Sequence, residues 1–140
     1  MEMVLLQGLY ILRKVGFEEA GEWVLESNTV RYLLSQNVGE EQVLYAFVSE
    51  GRVLYVGKTV RSLPQRLKGY MKPGRTQRTN ERIHQKIERL LRKGKEVRIF
   101  VFAPAEDEIV YRGVRVNLAA GLEDELIAML QPEWNEQGKA

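Results

Sequence analysis

Apolar residues recur along this chain in two periods, and the switches between them mark out its elements. Met3 to Lys14 is apolar around most of a helical circumference and runs into Gly16, which predicts a helix closed by a glycine C-cap. The next stretch alternates instead. Trp23 and Leu25 lie before Ser27-Asn28, and Val30, Tyr32 and Leu34 after it, the pattern of a hairpin with one buried face. "VLYAFVSEGRVLYVGK", Val43 to Lys58, reads as a second hairpin around Ser49-Glu50-Gly51-Arg52, with Gly51 supplying the turn conformation other residues resist. If Tyr45 opposes Tyr55 their rings share a face, and a slip of one residue separates them. Ser62, with Pro64 just behind it, opens a short helix that Gly69 helps to end near Tyr70. "MKPGRTQRTN" is a loop. Thr79 or Asn80 caps a longer helix whose Ile83, Ile87, Leu90 and Leu91 make one stripe, and Gly94 stops it. "EVRIFVFA" alternates as a strand, and "IVYRGVRVNL" reads as a weaker strand or extended loop. A last helix runs from about Ala119 to Leu130, before Pro132. The order of elements predicts an α/β (α+β) domain, a small mainly antiparallel sheet flanked by helices. Residues 1–140 form a single domain on this reading, with a helix and hairpin at 1–40 added to a core at 41–138.

Composition narrows the classes. A chain of 140 residues, 44% hydrophobic, can bury a core without metal or disulfide staples. The absence of cysteine excludes disulfides, cysteine-ligated zinc and a thiol nucleophile, and fits a reducing cytoplasm. No apolar run approaches about 20 residues, and "MVLLQGLYIL" lacks the basic leader and cleavage site of a signal peptide, so the expectation is a soluble, cytoplasmic protein without a membrane partner.

The net charge of +2 hides an asymmetry. From Arg52 to Arg98 fifteen Lys and Arg residues accompany three acids (Glu81, Glu88, Glu96), whereas the rest of the chain holds six basic and sixteen acidic residues. A middle third of this kind suits a polyanion, because each cation near a phosphate releases condensed counterions. A solvated helix face can carry as much charge. The candidates for phosphate contact are Lys68, Lys72, Arg75 and Arg78 before the long helix, and Arg82, Lys86 and Arg89 along it.

Helical spacing sorts the remaining charges. At 100° per residue from Leu122, the residues Leu126, Ile127, Met129 and Leu130 spread about a centre near roughly 50°, and Glu123, at about 100°, falls inside that stripe. Asp124 points nearly opposite and Glu125 lies on a flank. A carboxylate aimed at the protein body needs a cation or donors to receive it, either an internal salt bridge or a metal ion. On the shorter helix Leu63, Arg66, Leu67 and Tyr70 share one face, so Arg66 is directed inward or along the rim while Lys68 points away. Arg66 there is either a stem packed on the sheet or a fork for phosphate. His84 sits on the flank of its helix's inner stripe and reads as structural.

In these blocks the sequence resembles the GIY-YIG nuclease domain: "VLY" for the first signature triplet, "YVG" for the second, "YVGKTVRSLPQRLKGY" for the run with the arginine, and "LEDELIAMLQPEWN" for the terminal block. The resemblance spans about Val43 to Asn135. It implies that Tyr45 and Tyr55 line the site, that Arg66 faces the scissile phosphate, that Glu123 holds one divalent metal, Mg²⁺ or Mn²⁺, and that Asn135 anchors the site's end. Tyr70 takes a position where relatives have histidine or tyrosine, and Lys58 follows the second triplet. Val43 departs from the family's glycine. The implied function is metal-dependent hydrolysis of DNA, with RNA left open, and the alternative is a nucleic-acid-binding module that has lost cleavage. A tyrosine with a pKa of about 10 is roughly a thousandth ionised at pH 7, so Tyr45 serves as general base only if Lys58, Arg66 and the metal lower its pKa. One site nicks one strand, so the expectation is a monomer in free solution, with double-strand breaks requiring either a second protomer on DNA or a second visit.

Overall fold

The structure is a computed structural model that describes residues 2–36, 39, 41–104 and 109–135, with side chains from residue 8 onward; residues 105–108 and 136–138 of the expected core lie outside it. Its elements follow in the order α1 (Glu2–Val15), β1 (Glu18–Glu26), β2 (Thr29–Leu34), β3 (Val43–Ser49), β4 (Arg52–Thr59), α2 (Leu63–Met71), α3 (Arg78–Arg92), β5 (Val97–Phe102), β6 (Val110–Tyr111), β7 (Val114–Arg115) and α4 (Leu118–Leu130). Five strands pair antiparallel in the order β2-β1-β5-β3-β4, and the four helices flank that sheet, as the α+β reading expected. The N-terminal hairpin is continuous with the rest, because β1 pairs directly with β5 and buries Trp23 in the common core. Among the described residues no helix is long and apolar enough to cross a membrane.

Local chemistry explains the turns. Gly16, at φ +123°, closes α1 while the Phe17 amide donates to the Leu12 carbonyl. Ser27-Asn28, Glu50-Gly51 and Arg112-Gly113 all place two consecutive residues at positive φ, the twist that two-residue hairpins require. The last of these corrects the sequence reading of 109–118: the segment is a small hairpin of its own, β6–β7. Two helix ends also differ. α2 runs through Gly69 to Met71, and α3 begins at Arg78 with Gln77 in the capping position, while Asn80 is buried inside the first turn.

The sheet separates two cores. On one face α2 and α3 pack Leu63, Leu67, Tyr70, Ile83 and Ile87 against Trp23, Tyr45, Phe47 and Tyr55. On the other, α1 and α4 bring Leu12, Ala119 and Leu126 against Leu44, Ala46, Val48, Val53 and Val56. A bulge at Leu54 resets the β3–β4 ladder, so Tyr45 opposes Gly57 and Phe47 opposes Tyr55. The offset is even, and both tyrosines therefore keep the same face.

Candidate active site

Tyr45, Tyr55 and Tyr70 meet under α2. Tyr70 donates to the Tyr55 hydroxyl at 3.3 Å, and Tyr45 lies 2.6 Å from Tyr70. A phenol has one proton, so with Tyr70's spent on Tyr55, Tyr45 must be the donor of the shorter bond. The ring of Tyr45 rests on Gly57: a Cβ there would lie 2.5 Å from its Cζ and hydroxyl, so no other residue fits that position unaltered. Arg66 lies over this cluster, with its guanidinium carbon 4.1 Å from the centroid of the Tyr70 ring.

Burial sets the protonation states. Tyr45, 1% exposed, has its pKa raised well above the tyrosine range, chiefly by burial and then by Tyr55, against opposition from Arg66 and the hydrogen bonds of Tyr70 and Arg66. Tyr70 is raised further by burial and by the other two tyrosines. Of the protein groups that could lower the Tyr45 pKa, Arg66 is outweighed by desolvation, and strand alternation puts Lys58 with Val56 on the opposite face. Burial would lower the pKa of Arg66 and Tyr45, Tyr70 and Tyr55 raise it, leaving it above its ordinary value, and a guanidinium is charged throughout the working range of pH.

Glu123 is half-buried on α4, with Asp124 and Glu125 exposed beside it, as the wheel predicts. Met129 departs from that wheel; it is 63% exposed, because the contact with the sheet centres on Ala119 and Leu126. Burial raises the pKa of Glu123, Lys58 opposes this, and Asp124 adds to it. Lys58 thus couples the two faces. It feels Glu123 on one side and, at the end of β4, lines an open groove of about 880 Å³ with Arg61, Arg66, Gly69, Arg78 and Asn80. Among the described residues no group of three or more acidic or histidine side chains gathers to hold a metal ion. A single half-buried carboxylate with a raised pKa is still a position that a cation would complement, and Mg²⁺ keeps most of its own waters in such sites.

Asn135 closes the edge of β4. Its amide donates to the Val56 carbonyl at 2.9 Å and accepts from the Val56 amide at 3.0 Å, next to a bond from the Trp134 amide to the Leu54 carbonyl. Of the expected phosphate contacts, Lys68, Lys72, Arg75, Arg78 and Arg89 are exposed and Lys86 is partly so. Arg82 is engaged elsewhere, donating to the Trp134 carbonyl at 2.8 Å and tying α3 to the segment that carries Asn135. His84 is structural here: its Nδ1 lies 2.7 Å from the Tyr70 carbonyl, which can only accept, and so bears the proton. Sequence reasoning took Gly57 only as part of a signature and Asn80 only as a cap, since neither the Tyr45 ring nor the groove is local to them.

No family model and no curated protein matches the sequence. Solved structures do resemble the fold. A mutant of EndoII from bacteriophage T4 superposes with a TM-score of 0.68 at 19% identity, over 91% of this chain and 97% of that one. The restriction endonuclease HPY188I, in complex with product DNA, gives 0.52 at 18% identity, over 84% and 74%. The likeness is one of fold.

Proposed function

We propose that the protein is a metal-dependent DNA endonuclease of the GIY-YIG type, acting in the cytoplasm as a monomer in free solution. The observation that carries this reading is the charged Arg66 guanidinium, held by tyrosines at a groove whose Lys58 is coupled to Glu123 across β4. The fold it shares with EndoII and with a restriction endonuclease in complex with product DNA supports the same substrate.

The chain's own residues divide the work. Arg66 presents a planar fork to the scissile phosphate and neutralises the charge that grows on it. Tyr45 and Tyr70, held neutral, fix that fork from below rather than take a proton, and Tyr55 receives the end of their hydrogen-bond chain. Lys58 favours the ionised form of Glu123 and draws the backbone into the groove. Asn135 keeps β4 straight by pairing with both polar groups of Val56. Glu123 would hold one Mg²⁺ or Mn²⁺, which supplies Lewis-acid stabilisation to a phosphate oxygen. Lys68, Lys72, Arg75, Arg78, Lys86 and Arg89 contact flanking phosphates, and cutting both strands takes a second protomer on DNA or a second visit.

The test is supercoiled plasmid with Mg²⁺ or Mn²⁺, in parallel with chelator. Nicked circles should appear before linear DNA, and only with metal. Tight DNA binding without nicking would instead identify a silent binding module, and cleavage of a single-stranded RNA but not of plasmid would move the substrate class.

A further inference from the structure

Gly69 lies in the last turn of α2 without a positive φ, so no left-handed backbone calls for glycine where alanine is the better helix former. A Cβ there would come within 3.1 Å of Asn80 Nδ2 and 3.2 Å of Arg66 Nη1, closer than a methyl group normally approaches either. Asn80 is 7% exposed, and its amide donates to Gln77 Oε1, which also accepts from the Gly74 amide at 2.9 Å. The first turn of α3 is thereby locked to the basic loop before it and set against α2.

We propose that Gly69 and Asn80 are positioning residues that form a seat for the Arg66 guanidinium. The ring of Tyr70 is its floor, the bare Cα of Gly69 leaves room for Nη1, and the Asn80 amide, held by Gln77, is its side wall. Arg66 lines the open groove together with Gly69 and Asn80. A glycine that lowers helix propensity is thus explained by the space it leaves. Lysine cannot use the seat, because it has no planar group to rest on the ring.

The catalytic part of this inference rests on the nuclease reading, so the experiment has one arm that does not need cleavage. In the full chain, the side-chain NMR signals of Arg66, assigned by their loss in Arg66→Lys, should be displaced upfield by the Tyr70 ring current. Gly69→Ala should move them toward ordinary arginine positions without lowering Tm, and Asn80→Ala should do so in part. In the second arm, Gly69→Ala should reduce kcat for nicking at least tenfold with KM within twofold, and should add nothing in an Arg66→Lys background. Unmoved Arg66 signals in Gly69→Ala would overturn the seat whether or not the protein cuts DNA. Moved signals with an unchanged kcat would overturn its positioning role. Displaced signals in a parent protein that never nicks plasmid would leave the seat standing and refute the nuclease reading instead.

Discussion

The two faces of the β3–β4 ribbon bury very different material. Under α2 and α3 the interior holds three phenols, the amide of Asn80 and a charged guanidinium at the rim. Under α1 and α4 it is aliphatic apart from Phe17, Phe100 and the partly buried Phe102, and Glu123 stands half-buried as the acid of that helix nearest the sheet. A polar group in a dry interior must find partners, so the first face is restrained by its own chemistry, while the second leaves a carboxylate whose charge Lys58 favours against burial and Asp124. One face orients a group, and the other holds a demand for positive charge.

That contrast can be broken in four ways, beginning with the largest effect. Glu123→Gln should lower plasmid nicking by about a thousandfold, as expected when transition-state charge loses its main stabiliser, whereas Asp124→Asn should stay within about twofold. Equal losses in the two would show that the α4 face acts through bulk charge. Arg66→Lys should lose about a hundredfold in kcat although the charge is kept, because a point charge cannot reproduce a two-pronged contact. Retained turnover would make the tyrosine face mere packing.

The third effect is on stability and needs no metal. Because the folded pKa of Glu123 is raised, folding favours its neutral form; that contribution is present below the unfolded value and is lost as pH rises through the folded one. In chelator, Tm of Glu123→Gln should therefore match the parent at about pH 4, near the ordinary glutamate range, and exceed it at neutral pH. A parent more stable than the variant at neutral pH would contradict the unmet demand for positive charge. The smallest effect is on binding: replacing Arg75 and Arg78 together by alanine should flatten the logarithmic salt slope on duplex DNA by about 1.8, since each phosphate contact contributes about 0.9. Arg52 and Arg98, which already pair with Glu133, Glu19 and Glu96, should matter far less when replaced in the same way.

How much of this was legible in the sequence follows from the range of the forces involved. Gly16, Ser27-Asn28 and Glu50-Gly51 act through their own backbone, so the first helix and both hairpins could be read directly. Glu123 and Arg66 were legible because a helix converts spacing into direction. The β3–β4 register was not, since nothing local to Leu54 marks the bulge there that shifts the pairing between Phe47 and Val48. Nor was the fate of Arg82, whose acceptor lies 52 residues away, or of Asn80, which its neighbours Gln77 and Gly69 draw inward from a capping role. The direction of the Tyr45 shift was not legible either, because a count of nearby cations leaves out desolvation, which here is the larger effect.

The bonds between Asn135 and Val56 join positions 79 residues apart, and this orders events during synthesis. At about 5–20 residues per second, roughly 4–16 seconds separate the emergence of β4 from that of the segment that lies along its edge. Throughout that interval the outer edge of β4 at Leu54 and Val56 is open to water, or to any other extended chain nearby. Once Asn135 arrives the edge is occupied from within the same molecule. The last described residues to leave the ribosome therefore cover an edge at which the nascent chain could mispair.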